Sequence, residues 1–277
     1  MSGSDPNPAT ISVVTRTFNR PDALARAAAA LAAQDRAFEW VVVNAGDAPV
    51  DVPGDCVVVS PDGNPGRALA AKLGVEAASG ALLMLHDDDD TLEPGALGVL
   101  ADALKAAPHA AAVTCGYAVI EEDGGAEREL SRHAYDLPIS LYDMAERNRI
   151  LTVGTLFRRS AYDASGGMRT EVDALEDWDL WLRMMCVGDI VSVPDVLARQ
   201  YVRPAGTDGP DANSARDEHE RARVLLQNRW LRDDIAAGRT GLGEITHRPH
   251  ARFVEEVDDR LRRAGAIKRK LMPWART

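Results

Sequence analysis

Four consecutive aspartates, Asp87 to Asp90, follow His86 directly behind the apolar run 81–85. Carboxylates this close repel one another unless a cation joins them. A divalent ion such as Mn²⁺ or Mg²⁺ takes oxygen ligands from one or two carboxylates and completes its shell with water and substrate phosphates, so the run reads as a diphosphate site. A solvated acidic turn would look the same in isolation. Its position at the mouth of a buried strand is what favours the site, because ligands of open α/β sheets gather beyond the carboxyl ends of the strands. A calcium loop is excluded, since the sixth place counted from Asp87 holds Leu92 instead of glycine.

A second constellation runs from Leu175 through Glu176, Asp177 and Trp178 to Arg183. Trp178, Trp181, Leu182 and Met185 recur at helical spacing and form one apolar stripe, which leaves Asp177 at the amino end of that helix. The helix dipole favours the ionised carboxylate there, so its expected resting basicity is low. A rigid carboxylate at a cleft edge can still take the proton of an attacking hydroxyl. Acidic capping of a helix would use the same residues. Glu176, Trp178 and Arg183 are the candidates for the acceptor side. A third pair of segments, Arg16, Thr17, Phe18, Asn19 and Arg20 after one strand and Asn44 to Asp47 after the next, offers two strand-end turns where a nucleoside could sit.

These residues need a scaffold, and the pattern supplies one. Short apolar runs at 11–15, 40–43, 56–59 and 81–85 alternate with helix-length segments at 22–33, 67–78 and 94–106. Asn64 and Pro65 suit a cap and first turn for the second helix. Strands alternating with helices predict a mainly parallel central sheet flanked by helices. Further strand-like pieces lie at 113–120, 151–157 and 190–193, with a helix at 177–186. The expected division is a loose amino terminus at 1–10 and one α/β domain at 11–203, with a nucleotide half at 11–110 and an acceptor half at 111–203. A Pro- and Gly-containing linker from 204 then leads to a helical carboxy-terminal extension reaching 277, with helix at 215–237.

Composition narrows the function classes. The formal charge of −11 argues against a nucleic-acid binder. Three distant cysteines suggest neither a disulfide framework nor a zinc site, and suit a reducing cytoplasm. No run of about 18 apolar residues occurs, which predicts a soluble intracellular protein. The segment 260–277 carries seven basic residues and no acid, as a solvated helix end or as a contact to an anionic membrane or partner. His247 and His250 flank a proline and are weak metal candidates. The P-loop, GxSxG and dinucleotide fingerprints are absent.

In order and content these motifs resemble the family 2 glycosyltransferases of GT-A (Rossmann-like) fold. The stretch 11–22 is similar to the family's opening strand and turn, and 64–70 with 78–90 to its approach to the DxD motif. The likeness continues through Phe157-Arg158-Arg159, Gly166-Gly167-Met168 and Glu176-Asp177-Trp178, covering roughly 11–203. It implies Asp89 as direct ligand of Mn²⁺ or Mg²⁺, Asp87 and Asp88 beside it on metal-bound water, ribose or donor sugar, and Arg67 on the nucleotide side. It also implies Asp177 as catalytic base in an inverting displacement that moves a hexosyl or deoxyhexosyl group from a nucleotide diphosphate sugar to an acceptor hydroxyl on a polysaccharide, glycolipid or natural product. One departure stands out: the family's usual Asp-Asp-Gly-Ser is here Asn44-Ala45-Gly46-Asp47, leaving Asn44 to reach a base edge. A silent nucleotide-sugar-binding scaffold would keep the same fold, and a nucleotidyltransferase would want a Gly-rich basic loop that is missing. Donor and acceptor specificity is expected in the loop 121–148 and the tail.

Overall fold

The computed structural model describes residues 7–53, 55–135, 138–171, 174–203, 216–238, 241–243 and 246. The expected linker 204–210, the basic tail 260–277, and His247 and His250 lie outside the described residues. Strands β1 (Asn7–Thr17), β2 (Phe38–Asn44), β3 (Val57–Val59) and β4 (Gly80–Asp87) pair in parallel in the order β3-β2-β1-β4. β1 begins at Asn7, so residues 7–10, expected to be loose, belong to the sheet. Val14, Val41, Val43, Leu83 and Leu85 are buried on one face beneath α2 (Arg67–Ala77). Val13, Val42 and Met84 are buried on the other beneath α1 (Pro21–Ala32) and α3 (Ala96–Ala106). Coverage of both faces is why β1, β2 and β4 read as continuous apolar runs, whereas β3, expected to be buried from the same pattern, is an edge strand with Val57 and Val58 exposed.

α2 lies close against the sheet because it is built from small residues. A Cβ at Gly74 would overlap the side chains of Val14 and Val43. Asn64 and Pro65 stand outside this helix. Asn64 Oδ1 accepts the Gly66 N–H at 2.9 Å, and Gly66, at φ 76°, makes the entry that Asn64 was expected to cap. An Asx turn has taken the side chain that capping would have used.

The second half departs from a parallel sheet. β6 (Ala112–Asp123) continues through β9 (Ile190–Val202) in parallel, but β8 (Thr155–Arg158) runs antiparallel to both β4 and β6 and joins the two halves. β5 (Thr91–Leu92) pairs antiparallel with β9, and β7 (Ala126–His133) forms a hairpin with β6. The full order is β3-β2-β1-β4-β8-β6-β9-β5, a mixed sheet in which β3-β2-β1-β4 and the β6-β9 pair run parallel. α4 (Leu141–Glu146), α5 (Arg159–Ala164) and α6 (Glu176–Met185) pack around β8 and the β4 end. No disulfide forms, and Cys56, Cys115 and Cys186 are free thiols. Among the described residues no helix is long and apolar enough to cross a membrane.

α7 (Arg216–Ala237), expected as part of an extension, is built into the core. Leu226 and Trp230 are buried in the same cluster as Trp178 and Trp181. Trp230 meets Trp178 edge-on at 5.4 Å between ring centroids, and its Nε1–H donates to Asp179 Oδ1 at 2.8 Å. The Trp230→Ala protein is therefore expected to lose about 3–5 kcal/mol in urea unfolding, as for a buried aromatic truncation. A loss below about 0.5 kcal/mol, the range of surface substitutions, would show that α7 does not belong to the cooperative unit.

Candidate active site

Sheet register assembles the site. Arg16 on β1 is paired with Asp87 on β4, and Thr17 with Asn44 on β2, so three strand ends deliver their side chains to one edge. The Arg16 guanidinium is buried. Its Nε donates to Asp87 Oδ1 at 3.1 Å, Nη2 also contacts Asp87, and Nη1 donates to Glu176 Oε1 at 2.7 Å and to the Arg67 carbonyl at 3.0 Å. Arg67, half-exposed at the start of α2, adds its Nε at 3.1 Å from Glu176 Oε1 and its Nη2 at 3.8 Å from Asp87. Burial alone would lower the Arg16 pKa, but the two carboxylates and their hydrogen bonds outweigh burial and raise it.

The acidic run separates into four environments. Asp87 is desolvated, yet Arg16 and Arg67 with a 3.1 Å hydrogen bond from the Thr152 hydroxyl hold its carboxyl well below the usual range. Asp88 is fully buried, and burial pushes it up to about 6 against the pull of Arg20. Arg20 bridges Asp88 at 2.5 Å and Asp89 at 2.7 Å. Asp90 turns inward, where its Oδ1 accepts the Tyr201 N–H at 3.0 Å, and burial among three neighbouring aspartates raises its pKa far above normal. It anchors β9. His86 is fully buried, and desolvation lowers it to about 4, so it is neutral.

Asp177 sits on the first turn of α6. The preceding Leu175 adopts a left-handed backbone at φ 62°, a conformation that costs a non-glycine residue about 1–3 kcal/mol and that turns the chain abruptly into the helix. Low basicity was expected from the helix dipole. The opposite holds: burial first, and then the charge of Glu176, push the Asp177 carboxyl up to about 6, overriding the pull of Arg67 and of the Trp178 N–H. A helix end stabilises charge by fractions of a kcal/mol, less than desolvation removes. Asn148 Nδ2 donates to Asp177 Oδ2 at 2.7 Å and orients the carboxylate.

Of the three acceptor-side candidates, only Glu176 belongs to the cleft cluster, as the buried partner of Arg16 and Arg67. Trp178 is 1 % exposed and donates its Nε1–H to the Met144 carbonyl at 2.6 Å. Arg183 is tied to Asp179 at 2.7 Å and to the Ser165 carbonyl at 2.6 Å. Both are core residues with no free edge for a sugar: Trp178 lies on the apolar stripe of α6, and Arg183, on another face of the same buried helix, is spent on Asp179 and Ser165.

The two strand-end turns lock together. A Cβ at Gly46 would overlap the Asn19 side chain, and Asn19 Oδ1 accepts the Asp47 N–H at 3.3 Å. Asn19 has φ 54°, a conformation asparagine tolerates better than most residues. Asn44, expected at a base edge, spends its side chain on its own turn: Nδ2 donates to the Ala48 carbonyl at 2.8 Å and Oδ1 accepts the Gly46 N–H at 3.1 Å. Thr17 is buried beneath this turn, and Phe18 is exposed beside it.

Around the cleft five carboxyl groups, Asp87, Asp88, Asp89, Glu176 and Asp177, meet three guanidiniums, those of Arg16, Arg20 and Arg67. The surplus is negative and its donors are hard oxygens, the chemistry a divalent cation requires. Among the described residues the Asp89 carboxylate is engaged by Arg20 alone, while its main-chain carbonyl accepts from Arg26 Nη2 at 3.1 Å. Among the described residues no group of three or more His, Cys, Asp or Glu forms a ready metal cage, so an ion here would draw the rest of its shell from water and ligand phosphates. Sequence reasoning missed Thr152 and Asn148, which precede β8. Nothing local marks them, because their partners are Asp87 and Asp177 far along the chain. The Arg16→Met protein leaves Asp87 and Glu176 without their main counterion and is expected to lose about 3–5 kcal/mol in urea unfolding. A loss under about 1 kcal/mol would show the pair to be dispensable.

Comparison with known proteins gives this geometry a family. The model of glycosyl transferase family 2 matches residues 12–166. A Bacillus subtilis (strain 168) protein described as the uncharacterized glycosyltransferase YwdF is 28 % identical over 263 residues, 92 % of each chain. Among solved structures, S. aureus TarS 1–349 in complex with UDP-GlcNAc superposes with a TM-score of 0.61 at 17 % identity, over 80 % of this chain and 66 % of that one. The same TarS fragment with UDP gives 0.57 at 15 % identity, with the chain spanning 65 % of its length. Mannosyltransferase PcManGT from Pyrobaculum calidifontis, with GDP-Man and Mn²⁺, gives 0.60 at 16 % identity over 96 % of this chain and 82 % of that one. Likeness at such identity establishes the GT-A fold, and the family match establishes the rest: the chain belongs to glycosyl transferase family 2.

Proposed function

We propose that this protein transfers a sugar from a nucleotide diphosphate donor to an acceptor hydroxyl, with inversion at the anomeric carbon and Asp177 as general base. The observation that carries the reading is the Asp177 carboxyl itself, oriented by Asn148 and raised to about 6, within one electrostatic network with the acidic strand end at Asp87. A base with that pKa is ionised at neutral pH yet basic enough to share a proton in the transition state. The acceptor oxygen forms its bond to the anomeric carbon as its proton passes to Asp177, and the bond to the nucleoside diphosphate breaks on the opposite face.

The solved structures with UDP, UDP-GlcNAc and GDP-Man with Mn²⁺ support a nucleotide sugar as donor and a divalent ion as its companion. Asp89, with Asp88 beside it, would hold that ion, which when bound neutralises charge developing on the leaving diphosphate. Arg20 and Arg67 line the same strand edge and position the phosphates, while Arg16 keeps Asp87 ionised and in place. Asn44 serves the reading by shaping its turn, so discrimination between nucleosides falls on main-chain groups of 44–48 and on Phe18.

Calorimetric titration with UDP, GDP and dTDP, each with Mn²⁺ and then with EDTA, is expected to give metal-dependent binding of one nucleotide. Binding of none would favour a silent scaffold. Asp89→Ala should weaken the metal-dependent binding at least about tenfold, the scale of removing a charged ligand. Asp177→Asn should lower kcat by at least about 10²-fold while nucleotide binding is retained. Full activity in that variant would remove Asp177 from the mechanism. Because the base must be ionised, kcat of the wild-type protein is expected to fall as pH drops through about 6. A rate that stays level to pH 5 would contradict the assignment.

A further inference from the structure

A cavity of about 410 Å³ opens beside the proposed base. Its wall includes Asn148, the residue that holds Asp177. Another part of the wall is aromatic: Tyr117 on β6 and His133 on β7 stack at 4.7 Å with an interplanar angle of 25°. Such a face suits the apolar side of a sugar ring, and the volume suits a substituted monosaccharide. The wall also carries Arg147 and Arg149, with Asp143 as its single described carboxylate.

These two arginines differ from the others around the cleft. Arg16, Arg20 and Arg26 are held by carboxylates, and Arg158 and Arg159 by main-chain carbonyls. Among the described residues neither Arg147 nor Arg149 has a side-chain hydrogen bond or an ion pair, and the Nε of Arg149 is buried with no partner. Arg147 is exposed and its charge solvated, but leaving the Arg149 Nε desolvated and unmatched is costly, and an anionic ligand would remove that cost. Both guanidiniums act on the Tyr117 hydroxyl, and Arg149 also acts on that of Tyr135, so their charge reaches the aromatic wall. Tyr135 in turn donates its hydroxyl to the Arg149 carbonyl and fixes the main chain there.

We propose that this cavity is the acceptor site and that it takes a sugar bearing an anionic group, phosphate or carboxylate, held by Arg147 and Arg149. The ring lies on Tyr117 and His133, and the reacting hydroxyl points toward Asn148 and Asp177. The assignment rests on the transferase reading above and adds to it the charge class of the acceptor, which the net charge of −11 would otherwise discourage.

The test uses the full chain and three probes, glucose 6-phosphate, glucuronate and glucose, titrated by ligand-observed NMR. At least one anionic probe is expected to bind about tenfold or more tightly than glucose, and which one does so distinguishes phosphate from carboxylate. Arg149→Gln and Arg147→Gln should each lower that preference about tenfold, and Arg149→Lys, which keeps the charge, should recover part of it. Equal affinity for glucose, no binding of any probe, or an undiminished preference in both glutamine variants overturns the proposal. Binding of the nucleotide diphosphate with Mn²⁺ to the wild-type chain is measured alongside. Nucleotide binding without anion preference defeats only the acceptor class, whereas absent nucleotide binding defeats the transferase reading itself.

Discussion

The site depends on one buried cation. Arg16 joins the end of β4, through Asp87, to the start of α6, through Glu176, two segments about 90 residues apart that share no other described ion pair except through Arg67. Taking a guanidinium out of water is the largest single effect on it, and it is offset only because two carboxylates and four hydrogen bonds converge on the same group. Buried ion pairs often contribute little net stability, since desolvation cancels most of the Coulomb gain. Their value here is positional. The pair fixes the distance between the donor-side acidic strand end and the helix that carries Asp177.

The same network sets the chemistry of Asp177. Glu176 is neutralised by Arg16 and Arg67 yet still adds negative potential next door, and burial does the rest. Adjacent carboxyls on one helical turn are thus driven apart in pKa: Glu176 goes down because Arg16 and Arg67 hold it, and Asp177 goes up because burial and then the charge of Glu176 outweigh the pull of Arg67. That separation suits one residue to a structural role and the other to the proposed role of base. The left-handed Leu175 shows what the fold tolerates to present both on one turn.

How much of this was legible follows from which forces are local. The parallel half was readable because strands buried on both faces must be apolar throughout, and the acidic run and the Glu176-Asp177 pair were readable because their charges are adjacent in sequence. β7 was not, since its residues are almost all exposed and carry no alternation. Its signal lay in the turn: Asp123 pairs with Ala126 around Gly124 and Gly125, both at positive φ, a two-residue hairpin loop. α7 reads as a polar helix and docks through Leu226 and Trp230, whose partners on α6 lie about 50 residues away. The antiparallel β8 was placed as a strand, but its direction is a topological fact that periodicity does not carry.

β8 also explains why the proposed catalytic groups meet. By running antiparallel between β4 and β6 it brings the segment before it, which holds Asn148 and Thr152, back toward the strand ends where Asp87 and Asp177 lie. A parallel strand there would have delivered that segment to the far edge of the sheet. The same reversal sets Arg147 and Arg149 next to the base but apart from Arg16, Arg20 and Arg67. Two anionic substrates would repel each other in a single basic pocket only weakly, but they would also exchange places. In the proposed reading, separate counter-charges, a surplus of carboxylates suited to a divalent ion on the donor side and guanidiniums without a described partner on the acceptor side, would give each anion its own address and leave the neutral reacting atoms between them.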